Sequence, residues 1–237
     1  MLIRNITISA TAALLLATAP ALAQDDDASE PANWVFDLSF GATVTSDYVS
    51  RGTSQSDGPA LQGYLEATYG VFYAGVWASS VDPLITGGNV EIDVYGGIRP
   101  EFGDLSLDIG YARYYYPPVG DCCGEGYVKA SYAFTDMFTA NGEIYRDFEF
   151  KTTWAQAGAE VSGLPWELVA SGNIGTDFST LALGKDKVAW DVGVSRTFAD
   201  TVTLDVRYHD SNVDPARIVA SLSLDSSFSA LKDLLSK

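Results

Sequence analysis

Arg51 stands in a polar stretch, residues 45–63, that interrupts an otherwise alternating pattern of apolar and polar residues. A guanidinium group can bind a carboxylate or a phosphate through two parallel hydrogen bonds. Arg51 could therefore guide an anionic group of a solute, or it could pair with an acid of the chain, such as Glu66 or Asp57, and fix a loop. We expect the second, structural role.

The adjacent cysteines Cys122 and Cys123 are a second place for chemistry, between Pro117-Pro118 and Gly124. Outside the cytoplasm two thiols are expected to oxidise, and neighbouring cysteines can close only a small ring or bond to other chains. We predict a strained or labile disulfide in a loop. No zinc spacing, calcium loop or phosphate-cradling glycine motif occurs, so we expect no metal and no cofactor.

Residues 1–23 have the parts of a secretory signal peptide: a basic start at Arg4, an apolar run at residues 8–19 and a small-x-small cleavage site, Ala21-Leu22-Ala23. The apolar run is shorter than the ~20 residues that a membrane-spanning helix needs. The acidic residues 24–32 are typical of a solvated linker. We predict that the signal peptide is cleaved and the mature chain exported.

The composition limits the class of protein further. A formal net charge of −17 repels nucleic acid, so we expect no nucleic-acid partner. The 22 glycines and 13 tyrosines favour sheet over helix.

Period-two alternation of apolar and polar residues recurs in about twelve segments, each near the ~10 residues of a tilted membrane strand. Any one segment is a weak signal, and the repetition carries the prediction. The segments are residues 34–45, 61–69, 72–79, 90–95, 105–111, 127–134, 138–145, 153–161, 166–173, 188–195, 202–209 and 218–225.

The connections between these segments alternate in length. Short turns fall at residues 70, 101–104, 135–136, 162–165 and 199–200, and mostly longer links at residues 51–58, 80–88, 116–124, 146–151, 175–187 and 209–215. Tight periplasmic turns and long extracellular loops are typical of an outer-membrane barrel, whereas a secreted β-sandwich gives no reason for this alternation. We predict an all-β chain: a transmembrane antiparallel up-and-down barrel of about twelve strands over residues 33–225, with a tail, residues 226–237, that could form a short amphipathic helix.

The barrel predicts two environments for its side chains. Aromatic residues next to the turns and loops should lie at the two membrane interfaces. Those near the short turns are Tyr69, Phe72, Phe102, Phe134, Phe138, Trp166 and Phe198, and those near the long loops are Tyr48, Trp77, Tyr114, Tyr115, Tyr116, Trp154 and Tyr208.

The polar face of each strand should line the lumen, which would then contain nine acidic and two basic side chains. Such carboxylates imply water, paired cations or protonation, and acidic pores favour cations. A closed interior filled by side chains is the alternative. The predicted lining residues are Glu66, Glu91, Asp93, Asp108, Lys129, Glu143, Glu160, Glu167, Asp191, Asp205 and Arg207, with Asp47, Tyr48 and Arg51 at the extracellular mouth.

Several segments resemble a known family. These are residues 45–55 (TSDYVSRGTSQ) with 59–63 (PALQG), residues 72–81 (FYAGVWASSV), residues 91–97 (EIDVYGG) and residues 114–117 (YYYP). They are similar to the TorF family of porin-like proteobacterial outer-membrane proteins, first described as a conserved hypothetical family. The resemblance covers the mature chain and implies a porin-type barrel with no established substrate and no catalytic residues.

A weaker resemblance concerns residues 209–212 (HDSN), which include the only histidine of the chain. They are similar to the His-x-Ser-Asn element of outer-membrane lipid A deacylases, which would make His209 the base and Ser211 the nucleophile, with no identifiable orienting acid. A strand end that meets a loop is also a natural place for Asp, Ser and Asn.

The sequence as a whole predicts a non-enzymatic outer-membrane channel for passive diffusion of small polar solutes or ions, with a preference for cations. Its expected partners are outer-membrane lipids and those solutes. The alternatives are a closed structural or binding barrel and, less favoured, a lipid hydrolase that uses His209 and Ser211. The sequence displays no subunit interface, so the oligomeric state is left open.

Overall fold

The computed structural model describes residues 34–178 and 186–235, so the predicted signal peptide and acidic linker lie outside the described residues. Twelve long strands dominate the chain. They are β1 Phe36–Thr45, β2 Ala60–Tyr69, β3 Phe72–Ser80, β4 Val90–Ile98, β5 Leu105–Tyr116, β6 Gly120–Thr135, β7 Phe138–Asp147, β8 Thr153–Leu164, β9 Leu168–Asp177, β10 Val188–Phe198, β11 Val202–Ser211 and β12 Arg217–Ser227.

These strands close into a barrel. Each pairs antiparallel with its neighbours in the chain, and β1 pairs with β12 from Ser39 opposite Ser227 to Thr45 opposite Ser221. A closed sheet leaves no unpaired edge of backbone N–H and C=O groups. The predicted twelve-stranded antiparallel barrel is therefore confirmed.

The two ends of the barrel differ in their connections. One end, called here the short-turn end, has tight connections such as Gly70-Val71 and the pair Ala199-Asp200, and Gly70, Ala199 and Asp200 all have positive φ. The opposite, long-loop end carries the chain between β1 and β2 and a short helix, α1 Pro83–Thr86, between β3 and β4.

Several predicted boundaries are wrong, two of them for a clear local reason. The link expected at residues 116–124 is only the turn at residues 117–119, because β5 and β6 pair up to Tyr116 and Gly120. The strand expected from Trp166 begins at Leu168, because a 3-10 turn at Pro165–Glu167 with positive φ at Trp166 comes first.

The outer surface of the wall is apolar. Aliphatic side chains of the strands project outward, such as Val44, Ile144 and Val192 with exposed fractions of 57%, 54% and 52%. Exposed apolar area costs ~25 cal/mol per Å² in water, so a continuous belt of this kind favours a hydrocarbon environment. At the short-turn end Trp34 packs against Tyr69 and Phe72, with ring centres 5.2 and 6.0 Å apart.

A helix, α2 Phe228–Leu235, follows the last strand at the short-turn end. The Phe228 ring lies 6.3 Å from that of Phe40, and the Ser229 backbone N–H donates to the Asp37 carboxylate at 3.1 Å. These contacts hold the start of the helix against β1. None of the helices in the described ranges is long and apolar enough to cross a bilayer.

Candidate functional site

The chain between β1 and β2 forms a small hairpin in which Val49–Ser50 pairs with Thr53–Ser54, called here the lumen hairpin. Its two turn residues, Arg51 and Gly52, have φ of 45° and 69°. Two consecutive positive φ angles are the pattern of a type I′ turn, which suits a two-residue hairpin. A Cβ on Gly52 would lie 2.4 Å from the Cβ of Ala189 on β10, so the hairpin reaches the far wall and needs glycine there.

Arg51 forms the central contact of the hairpin with the wall. Its Nη1 and Nη2 donate to Oε1 and Oε2 of Glu125 on β6 at 2.9 and 2.8 Å, and its guanidinium lies 4.6 Å from the ring centre of Tyr145. The Tyr114 hydroxyl donates to the same carboxylate at 2.9 Å. Arg51 is 9% exposed and Glu125 1%, so this is a buried, bidentate ion pair across the lumen.

Further hydrogen bonds hold the hairpin from other strands and loops. The Ser211 hydroxyl on β11 donates to the Gly52 carbonyl at 2.7 Å, and the Ser54 N–H donates to Asp214 Oδ2 at 3.1 Å. Arg217 donates to the carboxylates of both Asp47 and Asp214. The long-loop end is therefore tied together by several separate segments.

Lys187, just before β10, adds a second positive group beside Arg51. Its Nζ lies 5.9 Å from the ring centre of Trp154, which also receives the Arg51 guanidinium at 5.6 Å. Burial and the nearby charge of Arg51 lower the pKa of Lys187 to about 8. The charge at this end of the barrel is therefore sensitive to mildly alkaline pH.

A second ion-pair network occupies the lumen toward the short-turn end. Arg99, in the turn after β4, donates to Glu66 Oε1 and Oε2 at 2.5 and 3.0 Å and to Asp108 Oδ2 at 3.3 Å. Its guanidinium lies 3.6 Å from the ring centre of Tyr73, whose hydroxyl also bonds to Asp108. Lys129 approaches Asp108 at 3.9 Å. This network joins β2, β3, β5 and β6.

A third network lies on the opposite side, around Arg207 of β11. Arg207 contacts Asp191 at 2.5 Å and Asp205 at 3.1 Å, and it donates to the Ser171 hydroxyl at 2.8 Å. The amide of Asn173 donates to Asp191 at 3.1 Å. Each of these acids therefore has a cationic partner.

The inward faces of the strands from β8 round to β1 carry small polar side chains that are only partly buried. Thr43 of β1 and Ser223 of β12, for example, share a hydroxyl–hydroxyl hydrogen bond of 2.8 Å. Others in this set are Ser171, Ser195 and Ser221. The two sides of the lumen therefore differ: tyrosines and buried ion pairs fill one, and small hydroxyl groups surround the partly buried Arg207 network on the other.

The family of the chain follows from its sequence. A family model described as a bacterial protein of unknown function, Gcw_chp, matches residues 28–230, a range that contains all twelve strands. The chain belongs to the Gcw_chp family. None of the curated proteins compared with it matches.

Solved porin structures resemble this Gcw_chp barrel. A KdgM porin has a TM-score of 0.60 at 10% sequence identity, over 80% of this chain and 99% of that one. A NanC porin has a TM-score of 0.50 at 9% identity, over 81% of this chain and 98% of that one. At such low identity the likeness shows a shared barrel fold alone.

Most of the predicted lining residues of the Gcw_chp barrel lie on inward-facing positions. The exception is Glu167, which lies in the 3-10 turn, where its side chain is 77% exposed and accepts from Arg196 at 2.8 Å. The prediction for Glu167 is wrong because the turn at Pro165 breaks the alternation before β9 begins. The inward set is Glu66, Glu91, Asp93, Asp108, Lys129, Glu143, Glu160, Asp191, Asp205 and Arg207.

The expected partners of Arg51 are wrong. Arg51 binds the carboxylate of Glu125 and not that of Glu66 or Asp57; Glu66 binds Arg99 instead. The predicted mouth residues Asp47 and Tyr48 lie at the long-loop end as expected, but Tyr48 is only 5% exposed and turned inward. Cys122 and Cys123 are joined by a disulfide, on β6 rather than in a loop.

The aromatic residues expected at the long-loop membrane interface are mostly inside the barrel. They share the parity of the lumenal acids and pack around the hairpin rather than against lipid. Tyr48, Trp77, Tyr114, Tyr116 and Trp154 are 5%, 7%, 2%, 2% and 3% exposed.

Proposed function

We propose that this Gcw_chp barrel is a porin-type channel of the bacterial outer membrane, reached through a cleaved signal peptide at residues 1–23. It would let small polar solutes or ions diffuse passively, with a preference for cations and without covalent chemistry. The resemblance to the TorF family supports the same function. The observation that carries the proposal is a closed barrel with an apolar outside and an inside lined by partly exposed hydroxyl and carboxylate groups.

The lumen hairpin would set the narrowest point of the channel. It crosses the lumen at the long-loop end and ends against Glu125, Ala189 and Ser211 on three different strands. The remaining space lies along the strands from β8 to β12, where many inward side chains are small hydroxyl groups and the Arg207 network is only partly buried. A narrow, polar passage of this kind suits ions and small solutes.

Cation preference would come from carboxylates that no arginine neutralises. Arg51, Arg99 and Arg207 pair with Glu125, with Glu66 and Asp108, and with Asp191 and Asp205. Glu143 of β7 and Glu160 of β8 are inward-facing, half-buried and in no ion pair of the described part of the chain. Rings of acidic side chains favour cations in a pore.

The cation preference can be measured as a reversal potential. In a KCl gradient across a planar bilayer, the refolded protein should pass K⁺ more readily than Cl⁻, and the variant Glu143→Gln/Glu160→Gln should move the permeability ratio toward one. Glu101→Gln, an exposed acid in a short turn, is the matched control and should keep the original ratio. Anion preference in the unaltered protein would contradict this part of the proposal.

The two alternative functions differ in how well they agree with the geometry of the lumen. A lipid hydrolase would need His209 and Ser211 at the lipid surface, but both belong to the inward face, and the Ser211 hydroxyl is already bonded to Gly52. A closed structural or binding barrel is favoured by the burial of the hairpin, and it would be silent in a conductance measurement.

A further inference from the structure

A group of buried oxygen atoms without hydrogen-bond partners lies where the lumen hairpin meets β4. It contains both carboxylate oxygens of Glu91 and of Asp93, together with the hydroxyl oxygens of Tyr48, Ser50 and Tyr116. Glu91 is 1% exposed and Asp93 0%, and the hydroxyl-bearing residues are 5%, 0% and 2% exposed. Buried polar groups are nearly always satisfied in proteins, so this concentration of unpartnered oxygens calls for a ligand.

The two carboxylates and the two tyrosine hydroxyls of this group lie close to one another. Glu91 and Asp93 occupy successive inward positions of β4, with Trp77 of β3 and Tyr114 of β5 opposite Asp93. The hydroxyls of Tyr48 and Tyr116 lie close enough to interact with the Glu91 carboxylate, although neither meets the geometry of a hydrogen bond. Ser50 follows Tyr48 by two residues along the hairpin.

The two carboxylates have no counter-charge among the described residues. Neither takes part in any ion pair, and the cation of the hairpin, Arg51, is bound through both of its terminal nitrogens to Glu125. Removing two carboxylates from water without a cation costs several kcal/mol each. A small cation would supply both the missing charge and the missing partners.

We propose that Glu91 and Asp93, with the hydroxyls of Tyr48, Ser50 and Tyr116, bind a hard divalent cation such as Ca²⁺. Carboxylate and hydroxyl oxygens suit such an ion, and one divalent cation would balance both charges. No group of three or more His, Cys, Asp and Glu residues assembles within the described ranges, so two carboxylates would carry the site. With so few charged ligands the affinity should be modest, on the order of 10⁻⁴ to 10⁻³ M, as in extracellular calcium modules.

The site would join separate parts of the chain: Tyr48 and Ser50 from the hairpin, Glu91 and Asp93 from β4, and Tyr116 from the end of β5. Bound cation would therefore fasten the hairpin to β4, beside the ion pair that already joins it to Glu125 of β6. Residues drawn from distant segments leave no spacing motif, which explains why the sequence indicates no metal site. The proposal does not depend on whether the barrel conducts ions.

Terbium luminescence tests the site, because Trp77 and the tyrosines around it can transfer excitation energy to a bound Tb³⁺. The refolded full barrel in detergent should give a saturable Tb³⁺ emission that Ca²⁺ displaces. Glu91→Gln/Asp93→Asn should weaken this binding at least tenfold, and Tyr116→Phe, which keeps both charges, should weaken it a few-fold. Glu101→Gln removes one exposed charge at the short-turn end and should leave the titration unchanged.

A second readout uses the unaltered protein alone and so does not depend on the folding of a variant. Its melting temperature should be higher in 10 mM Ca²⁺ than in a chelator, because an ion that binds only the folded barrel stabilises it by mass action. Equal Tb³⁺ titrations for the unaltered protein and the double variant would mean that only surface acids bind the ion, and would overturn the proposal. An unchanged melting temperature would overturn it too.

Discussion

Replacing Arg51 with alanine should lower the free energy of unfolding by about 3–5 kcal/mol and raise the single-channel conductance several-fold. The loss of stability comes mainly from Glu125, which is 1% exposed and would be left as a buried charge without its cation. The gain in conductance comes from releasing the hairpin tip from the wall. Denaturant titration and planar-bilayer recordings measure the two effects.

Two further variants make the Arg51 experiment specific. Arg51→Met/Glu125→Gln removes both charges, so it should recover much of the stability while it keeps the higher conductance. Arg113→Ala breaks an exposed network with Asp121 and Glu149 and should have a far smaller effect on both measurements, because exposed ion pairs contribute little. If Arg51→Ala changed stability and conductance as little as Arg113→Ala, the hairpin would neither stabilise the barrel nor narrow its lumen.

Replacing Val192 with arginine should destabilise the barrel in a bilayer by about 2–4 kcal/mol, the cost of a cationic side chain at the midplane of the lipid face. Val192 lies near the middle of β10 and its side chain is 52% exposed on the outer surface. The measurement is a denaturant titration of the protein folded into lipid vesicles.

Val213→Arg is the matched control for that substitution. Val213 has nearly the same exposure, 51%, but it lies in the connection between β11 and β12 at the long-loop end. There the arginine would reach water, so stability should hardly change. Equal losses for the two variants would contradict a bilayer around the middle of the barrel.

The wall of the barrel could be predicted from the sequence because a strand shows its two faces in its alternation. In β4, for example, Glu91 and Asp93 alternate with Val90, Ile92 and Val94, and the structure places the acids inside. Closure of the wall follows from the number of strands and from the alternating lengths of their connections.

The contents of the lumen could not be predicted in the same way. Arg51 and Arg99 enter from a hairpin and from a turn, and residues outside strands have no parity to show which way they point. The lumen is for that reason less acidic than the strand residues alone indicate. Glu125 was within reach of the alternation, since it precedes the inward Tyr127 by two residues, but it falls between the predicted link at residues 116–124 and the predicted strand at residues 127–134.

The aromatic residues show a different limit of prediction from the sequence. Trp77 and Tyr114 have the composition and position of interface residues, and only their shared parity with Asp93 reveals that they face inward. Tyr114, together with Tyr145 and Trp154, surrounds the buried ion pair of the hairpin. The residue composition near a predicted interface therefore indicates the direction of a side chain less well than the alternation along the strand does.

Single-channel recording of the refolded barrel in planar bilayers tests the proposed function most directly. The account predicts steady current steps for the unaltered protein and larger steps for Arg51→Ala. A barrel that is shown to be folded by its heat-modifiable mobility on gels, but stays silent both with and without Arg51, would contradict the channel and leave a closed structural or binding barrel.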